Sequence, residues 1–130
     1  MSLNKILNSR FYIVFLLPFI LGLLTVFSFQ PFNFIIVNFF VLPALFLILT
    51  HVNKKSKNIY RKKPYLINLF FVGYLFGIGY FISGTHWITY SLTFDESFKH
   101  LIPISLIGIP MFLGLFFGIT TLCVGRLMKN

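Results

Sequence analysis

Four long stretches of the chain contain no Asp, Glu, Lys or Arg, and the charged residues gather in the segments between them. The stretches cover residues 11–29, 32–50, 65–90 and 101–124. A helix rises about 1.5 Å per residue, so even the two shorter stretches reach about 28 Å, close to the roughly 30 Å hydrocarbon core of a bilayer. The pattern predicts an all-α membrane protein with four transmembrane helices and no soluble domain.

Composition and the order of residues exclude the two main alternatives to membrane helices. Charged residues make up 10% of the chain, against about 25% in soluble domains, so a small soluble fold would lack polar surface. Polar and apolar residues do not alternate within the stretches, as they would in the strands of a membrane barrel. Helices also satisfy their own backbone hydrogen bonds, which lipid requires.

The basic residues lie almost entirely on one side of this arrangement. That side holds both termini and residues 51–64, with ten of the eleven Lys and Arg, whereas the side holding residues 91–100 has Lys99 alone. The positive-inside rule therefore places both termini and residues 51–64 in the cytoplasm. This loop topology accounts for the net charge of +9, and no nucleic acid partner is expected.

Prolines mark one turn and several positions inside the spans. Gln30 and Pro31 alone separate the first two stretches, which predicts a tight antiparallel hairpin on the side opposite the cytoplasm. Pro31 is expected to begin the returning helix, where its missing N–H has no cost. Pro18, Pro43 and Pro110 lie inside spans and are expected to kink them.

Glycines spaced four residues apart predict close contact between the last two spans, because small residues let helix backbones approach in lipid. The short connection at residues 91–100 makes these spans neighbours. We expect them to pack through five glycines: Gly73, Gly77, Gly84, Gly114 and Gly118. The bulky Phe residues would then face lipid or other helices. Gly22 lies off these stripes and is expected to matter less.

Three residues near the end of the third span are predicted to lie at the membrane interface: His86, Trp87 and Tyr90. The rise from Tyr65 places them at the outer boundary of the hydrocarbon core, where Trp and Tyr are enriched. A role for His86 as a proton relay or ligand is an alternative, although no carboxylate lies near it within the span.

Groups able to perform catalysis are scarce. Asp95 and Glu96 are adjacent and point in different directions, so they make a poor acid–base pair. His86, Ser91 and Asp95 supply the residue types of a triad, but no nucleophile elbow orients the serine. Cys123 is expected to be a buried, inert thiol. With no phosphate loop or metal-ligand cluster, the sequence predicts no catalytic residues, no cofactor and no metal.

One run of the third span is distinctive: Gly73 to Trp87, GYLFGIGYFISGTHW. A Phe/Pro turn at residues 27–32 and a basic loop precede it. In this order the segments resemble the N-terminal membrane region of bacterial apolipoprotein N-acyltransferases, and the likeness covers residues 11–122. The run in the third span is its most specific part.

This resemblance implies a role for a complete family member, which transfers an acyl chain from phospholipid to the N-terminal cysteine of a lipoprotein. Such members carry a periplasmic nitrilase-like domain with a Glu-Lys-Cys catalytic set, which has no counterpart here, and Cys123 is not its nucleophile. The resemblance implies an N-terminal membrane-domain fragment, multi-pass in the bacterial inner membrane and inactive alone. Its expected partners are membrane phospholipid and the remainder of the acyltransferase or its lipoprotein substrate.

Two other classes of protein stay open at this point. A small self-assembling four-helix transporter needs a titratable group inside the membrane, and no Asp or Glu lies within a predicted span. A non-catalytic membrane subunit would bind a separate partner through its glycine faces, and the sequence does not distinguish it from a fragment. Whether the chain is an enzyme is equally open.

Overall fold

The computed structural model describes residues 11–29, 32–59, 64–94 and 96–128, and every regular element within these ranges is helical. Four helices follow in chain order: α1 (Tyr12–Ser28), α2 (Ile36–Ile59), α3 (Pro64–Ser91) and α4 (Ile109–Leu127). A 3₁₀ helix (Glu96–Leu101) and a π-helical turn (Ile104–Gly108) lead into α4. The predicted all-α fold is confirmed.

Within the described ranges, three helical stretches are long and apolar enough to cross a membrane. They are Ile36–Lys54, Leu66–Thr85 and Glu96–Leu127, with mean hydropathies of 1.9, 1.8 and 2.2. The helix α1 is apolar but shorter, so its assignment as a fourth span stays a prediction. Large apolar side chains cover much of the surface, including Phe39, which is 74% exposed. Lipid is the solvent that such a surface requires.

A π-helical turn precedes two of the three prolines inside the helices. Tyr12–Leu16 and Ile104–Gly108 are π-helical and end just before Pro18 and Pro110. Proline has no N–H and its ring clashes with the carbonyl four residues earlier. A wider turn relieves that clash. Both of these prolines are fully buried, whereas α2 continues through Pro43, which is exposed.

The connection between α1 and α2 is longer than the sequence predicts. The charge-free stretch predicts a second span that begins at residue 32, but residues 32–35 are not helical and α2 begins at Ile36. Asn33 has a φ of 55°, a left-handed conformation that cannot continue a right-handed helix. Among the described residues, the returning helix therefore begins at Ile36. Gln30 and Pro31 themselves lie outside the described residues.

The helix α3 is the centre of the bundle and contacts the other three helices, most extensively α4 and then α1. Leu69 and Val72 of α3 are completely buried. They join a core made with residues of α1 and α2: Ile13, Val14, Ile48, Leu49 and Val52. This core lies toward the end of the bundle where α2 runs into the basic segment.

The orientation of the bundle in the membrane stays a prediction with a direct test. A cysteine at Ser97, in the exposed 3₁₀ helix, should react with an impermeant maleimide added outside intact cells. A cysteine at Ser56, in the basic segment, should be spared, because the positive-inside rule places it in the cytoplasm. Both variants need a Cys123→Ser background, since that thiol is exposed. Labelling of the cysteine at position 56 with protection of the one at position 97 would show that the orientation is the reverse of the predicted one.

Candidate functional site: two faces of the central helix

Glycines bring the backbones of α3 and α4 into direct contact. A Cβ atom at Gly77 would lie 2.9 Å from the Cα of Gly114, and one at Gly114 would lie 3.1 Å from the carbonyl oxygen of Tyr74. A Cβ at Gly73 would overlap the side chain of Thr121. Backbone atoms cannot move aside as side chains can, so larger residues here would separate the helices.

The contact does not include all five of the glycines singled out in the sequence. Gly118 faces α3, but its nearest neighbour is a side chain, the ring of Phe70, at 2.6 Å. Gly84 has no heavy atom within 4 Å of its Cβ position. Gly84 therefore lies outside the packing contact expected of it.

A second glycine contact joins α1 to another face of α3. A Cβ at Gly22 would overlap the carbonyl oxygen of Phe76 and lie 2.8 Å from the amide nitrogen of Tyr80. A Cβ at Gly79 would lie 3.1 Å from the amide nitrogen of Leu23. The expectation that Gly22 matters less is wrong, because Gly22 lies where the two backbones cross.

The sequence contains a signal for this second contact, but a search for glycines four residues apart does not find it. Gly77 and Gly79 are two residues apart, which on a helix means about 200° apart. One therefore faces α4 and the other faces α1. A Gly-x-Gly in the middle of a long apolar helix thus indicates a helix packed between two close neighbours.

Buried polar side chains add links between helices at the end that carries the basic segment. The hydroxyl of Thr121 lies 2.9 Å from the carbonyl oxygen of Leu69, across the α3–α4 contact. The side-chain amide of Asn53 reaches the carbonyl oxygen of Gly125 at 3.5 Å and so connects α2 with α4. Hydrogen bonds between membrane helices average about 0.6 kcal/mol, so these links orient the helices more than they stabilise them.

The three predicted interface residues lie in the last turns of α3. Tyr90 is 71% exposed, and its ring packs edge-on against Phe94 with the ring centres 5.7 Å apart. The side chains of His86 and Trp87 lie outside the described part of the structure. The interfacial role of the three residues stays a prediction.

The few acidic groups do not form a reactive cluster in the described ranges. The carboxylate of Glu96 pairs with the amine of Lys99 at 3.1 Å, and both side chains are exposed, so the pair contributes little to stability. Asp95 lies outside the described residues. Across the residues that the structure describes, no three His, Cys, Asp or Glu side chains converge as metal ligands.

The thiol of Cys123 is exposed, which corrects the expectation that it is buried. Thr121 and Gly125 are both buried and face the neighbouring helices. Cys123 is two residues from each of them, about 200° around the helix. Its side chain therefore points away from the bundle.

Known proteins match this chain along the same helices. The family model for the apolipoprotein N-acyltransferase N-terminal domain matches residues 21–130. The apolipoprotein N-acyltransferase of Rickettsia typhi is 35% identical over 108 residues, which cover 81% of this chain and 18% of that protein. The apolipoprotein N-acyltransferase of Rickettsia prowazekii is 34% identical over 100 residues, which cover 75% of this chain and 17% of that protein.

The matched region is a small part of each relative. The apolipoprotein N-acyltransferase of Rhizobium rhizogenes is 34% identical over 62 residues, which cover 47% of this chain and 12% of that protein. The chain thus spans less than a fifth of the length of these three relatives. No solved structure matches it significantly.

Proposed function

Because this chain belongs to the apolipoprotein N-acyltransferase family, we propose that it forms the N-terminal membrane-embedded part of such an enzyme. The complete enzyme would transfer an acyl chain from a phospholipid to the N-terminal cysteine of a lipoprotein, in the bacterial inner membrane. The observation that carries this proposal is the family match over residues 21–130. That range contains α2, α3, α4 and part of α1.

The geometry supports a positioning role for these helices. Backbone contacts hold α3 on two faces, at Gly22 and Gly79 toward α1 and at Gly77 and Gly114 toward α4. Such contacts leave little freedom to shift one helix against another, and a rigid scaffold is what a functional site needs for support. The bundle would hold the remaining parts of the enzyme at a fixed depth and angle in the membrane.

The chemistry of acyl transfer would come from residues outside this chain. Covalent acyl transfer needs a nucleophile activated by a neighbouring base. Cys123 is exposed on the outer face of α4, and this helix carries no His, Asp or Glu that could act as its base. The proposal therefore includes that the chain alone is inactive.

Purified chain, incubated with phospholipid and a diacylated lipopeptide, should give no triacylated product. The full-length relative from Rickettsia typhi, assayed in parallel, should give product and shows that the assay works. Product formed by the chain alone would contradict the proposal. A Cys123→Ser variant would then show whether that thiol is responsible.

A further inference from the structure

An open groove of about 490 Å³ lies between α1 and α2, toward the end of the bundle that carries the basic segment. Four apolar residues form its walls and floor: Ile13, Leu17, Leu47 and Ile48. Ile13 and Ile48 are nine-tenths buried and belong to the core, so the core closes the groove from below. Its volume falls within the roughly 300–1,000 Å³ of small-molecule sites.

The lining of the groove changes from apolar to cationic along α2. Its other lining residues are Thr50, His51 and Lys54, which follow Leu47 at helical spacing and so share its face. Lys54 lies about 10 Å farther along the helix than Leu47. His51 and Lys54 are both exposed, so polar groups stand at the mouth of an apolar slot.

Neighbouring residues fix the direction in which this mouth faces. Val52 and Asn53 are buried, and the side chain of Asn53 reaches Gly125 of α4. The turn of α2 that carries Lys54 is therefore anchored on its other side. The hydroxyl of Thr50 donates to the carbonyl oxygen of Leu47 at 2.8 Å, which leaves His51 and Lys54 as the donors facing outward.

We propose that this groove binds an anionic phospholipid, with an acyl chain along the apolar walls and the phosphate at Lys54 and His51. The positive charge at the mouth complements a phosphate, and Lys55 and Lys57 follow directly in the sequence. Basic pockets between membrane helices are a known setting for anionic headgroups. Because the slot is apolar and lies along α2, which is long and apolar enough to cross a membrane, a lipid fits it better than a free phosphate. In the predicted orientation, the lipid belongs to the cytoplasmic leaflet.

This lipid is separate from the acyl donor of the proposed reaction, whose chemistry the family resemblance places on the periplasmic side. The groove would anchor α1 against α2 at the cytoplasmic surface. A lipid that binds both helices stabilises the bundle by an amount that grows with the ratio of its concentration to its Kd. Its binding can be measured without any acyl-transfer assay, so failure of one proposal leaves the other intact.

Native mass spectrometry of the detergent-solubilised chain tests the proposal. The chain is titrated with phosphatidylglycerol or with phosphatidylcholine that carries the same acyl chains. We expect tighter binding of phosphatidylglycerol, and Lys54→Gln should weaken that binding about fivefold while leaving phosphatidylcholine unchanged. Arg126→Gln is the matched control, because Arg126 is an exposed basic residue of α4 that does not line the groove. Arg126→Gln should leave the binding of both lipids unchanged.

A second variant tests the apolar part of the groove. Leu17→Trp should fill the slot and weaken the binding of both lipids, with the thermal unfolding midpoint of the lipid-free chain showing that the fold is kept. Equal affinity of the wild-type chain for the two lipids would overturn the proposal. So would equal losses in Lys54→Gln and Arg126→Gln, which would assign the binding to the basic surface as a whole.

Discussion

Gly22→Ala should destabilise the helix bundle by about 1–3 kcal/mol, the usual range for overpacking a close contact. The added methyl group would meet backbone atoms of Phe76 and Tyr80, so α1 and α3 must move apart to admit it. Gly84→Ala is the same change on α3, where the new atom meets nothing within 4 Å. It should stabilise the chain by up to about 0.5–1 kcal/mol, because Ala favours a helix more than Gly does.

The two variants are thus expected to shift the thermal unfolding midpoint in detergent in opposite directions. Gly77→Ala should behave like Gly22→Ala, since its neighbour at 2.9 Å is the backbone of Gly114. Gly118→Ala should lower the unfolding midpoint less than Gly77→Ala does, because the ring of Phe70 can rotate away. If Gly22→Ala left the midpoint unchanged, or if Gly84→Ala lowered it as much, the glycines would not be close-packing positions.

The sequence predicts the helical elements well where apolar length alone decides them. The third predicted span, residues 65–90, lies within α3 (Pro64–Ser91). For the second span, the ends of the helix differ from those of the charge-free stretch, residues 32–50. The left-handed Asn33 delays the start of α2, and the helix continues to Ile59 through the basic segment. Lys is a good helix former, so a helix can continue beyond the end of its apolar stretch.

The contacts between helices were only partly predictable. Gly73 and Gly77, four residues apart, share a helix face and indicate a neighbour without further information. Gly79 is marked in the sequence by the Gly-x-Gly that it forms with Gly77, but Gly22 has no second glycine in its own span. Only the three-dimensional pairing of α1 with α3 reveals the role of Gly22. The exposure of Cys123 likewise depends on which face of α4 meets the bundle.

A chimera should show that this chain can replace the corresponding part of a complete enzyme. In it, residues 21–130 replace the matching region of the Rickettsia typhi relative, which is 35% identical over 108 residues. The chimera should be active, because these helices would supply the same scaffold to the catalytic part of the relative. Gly22→Ala within the chimera should reduce activity by disturbing the α1–α3 crossing, whereas Gly84→Ala should not.

The most direct test is the mass of the N-terminal lipopeptide of a lipoprotein in cells depleted of their own apolipoprotein N-acyltransferase. If the chain is the membrane-embedded N-terminal part of such an enzyme, cells that express the chimera should yield the lipopeptide with its third acyl chain. Immunoblotting of the membrane fraction shows that the chimera accumulates to the level of the intact relative. Lipopeptide that stays diacylated at that level of chimera would contradict the account.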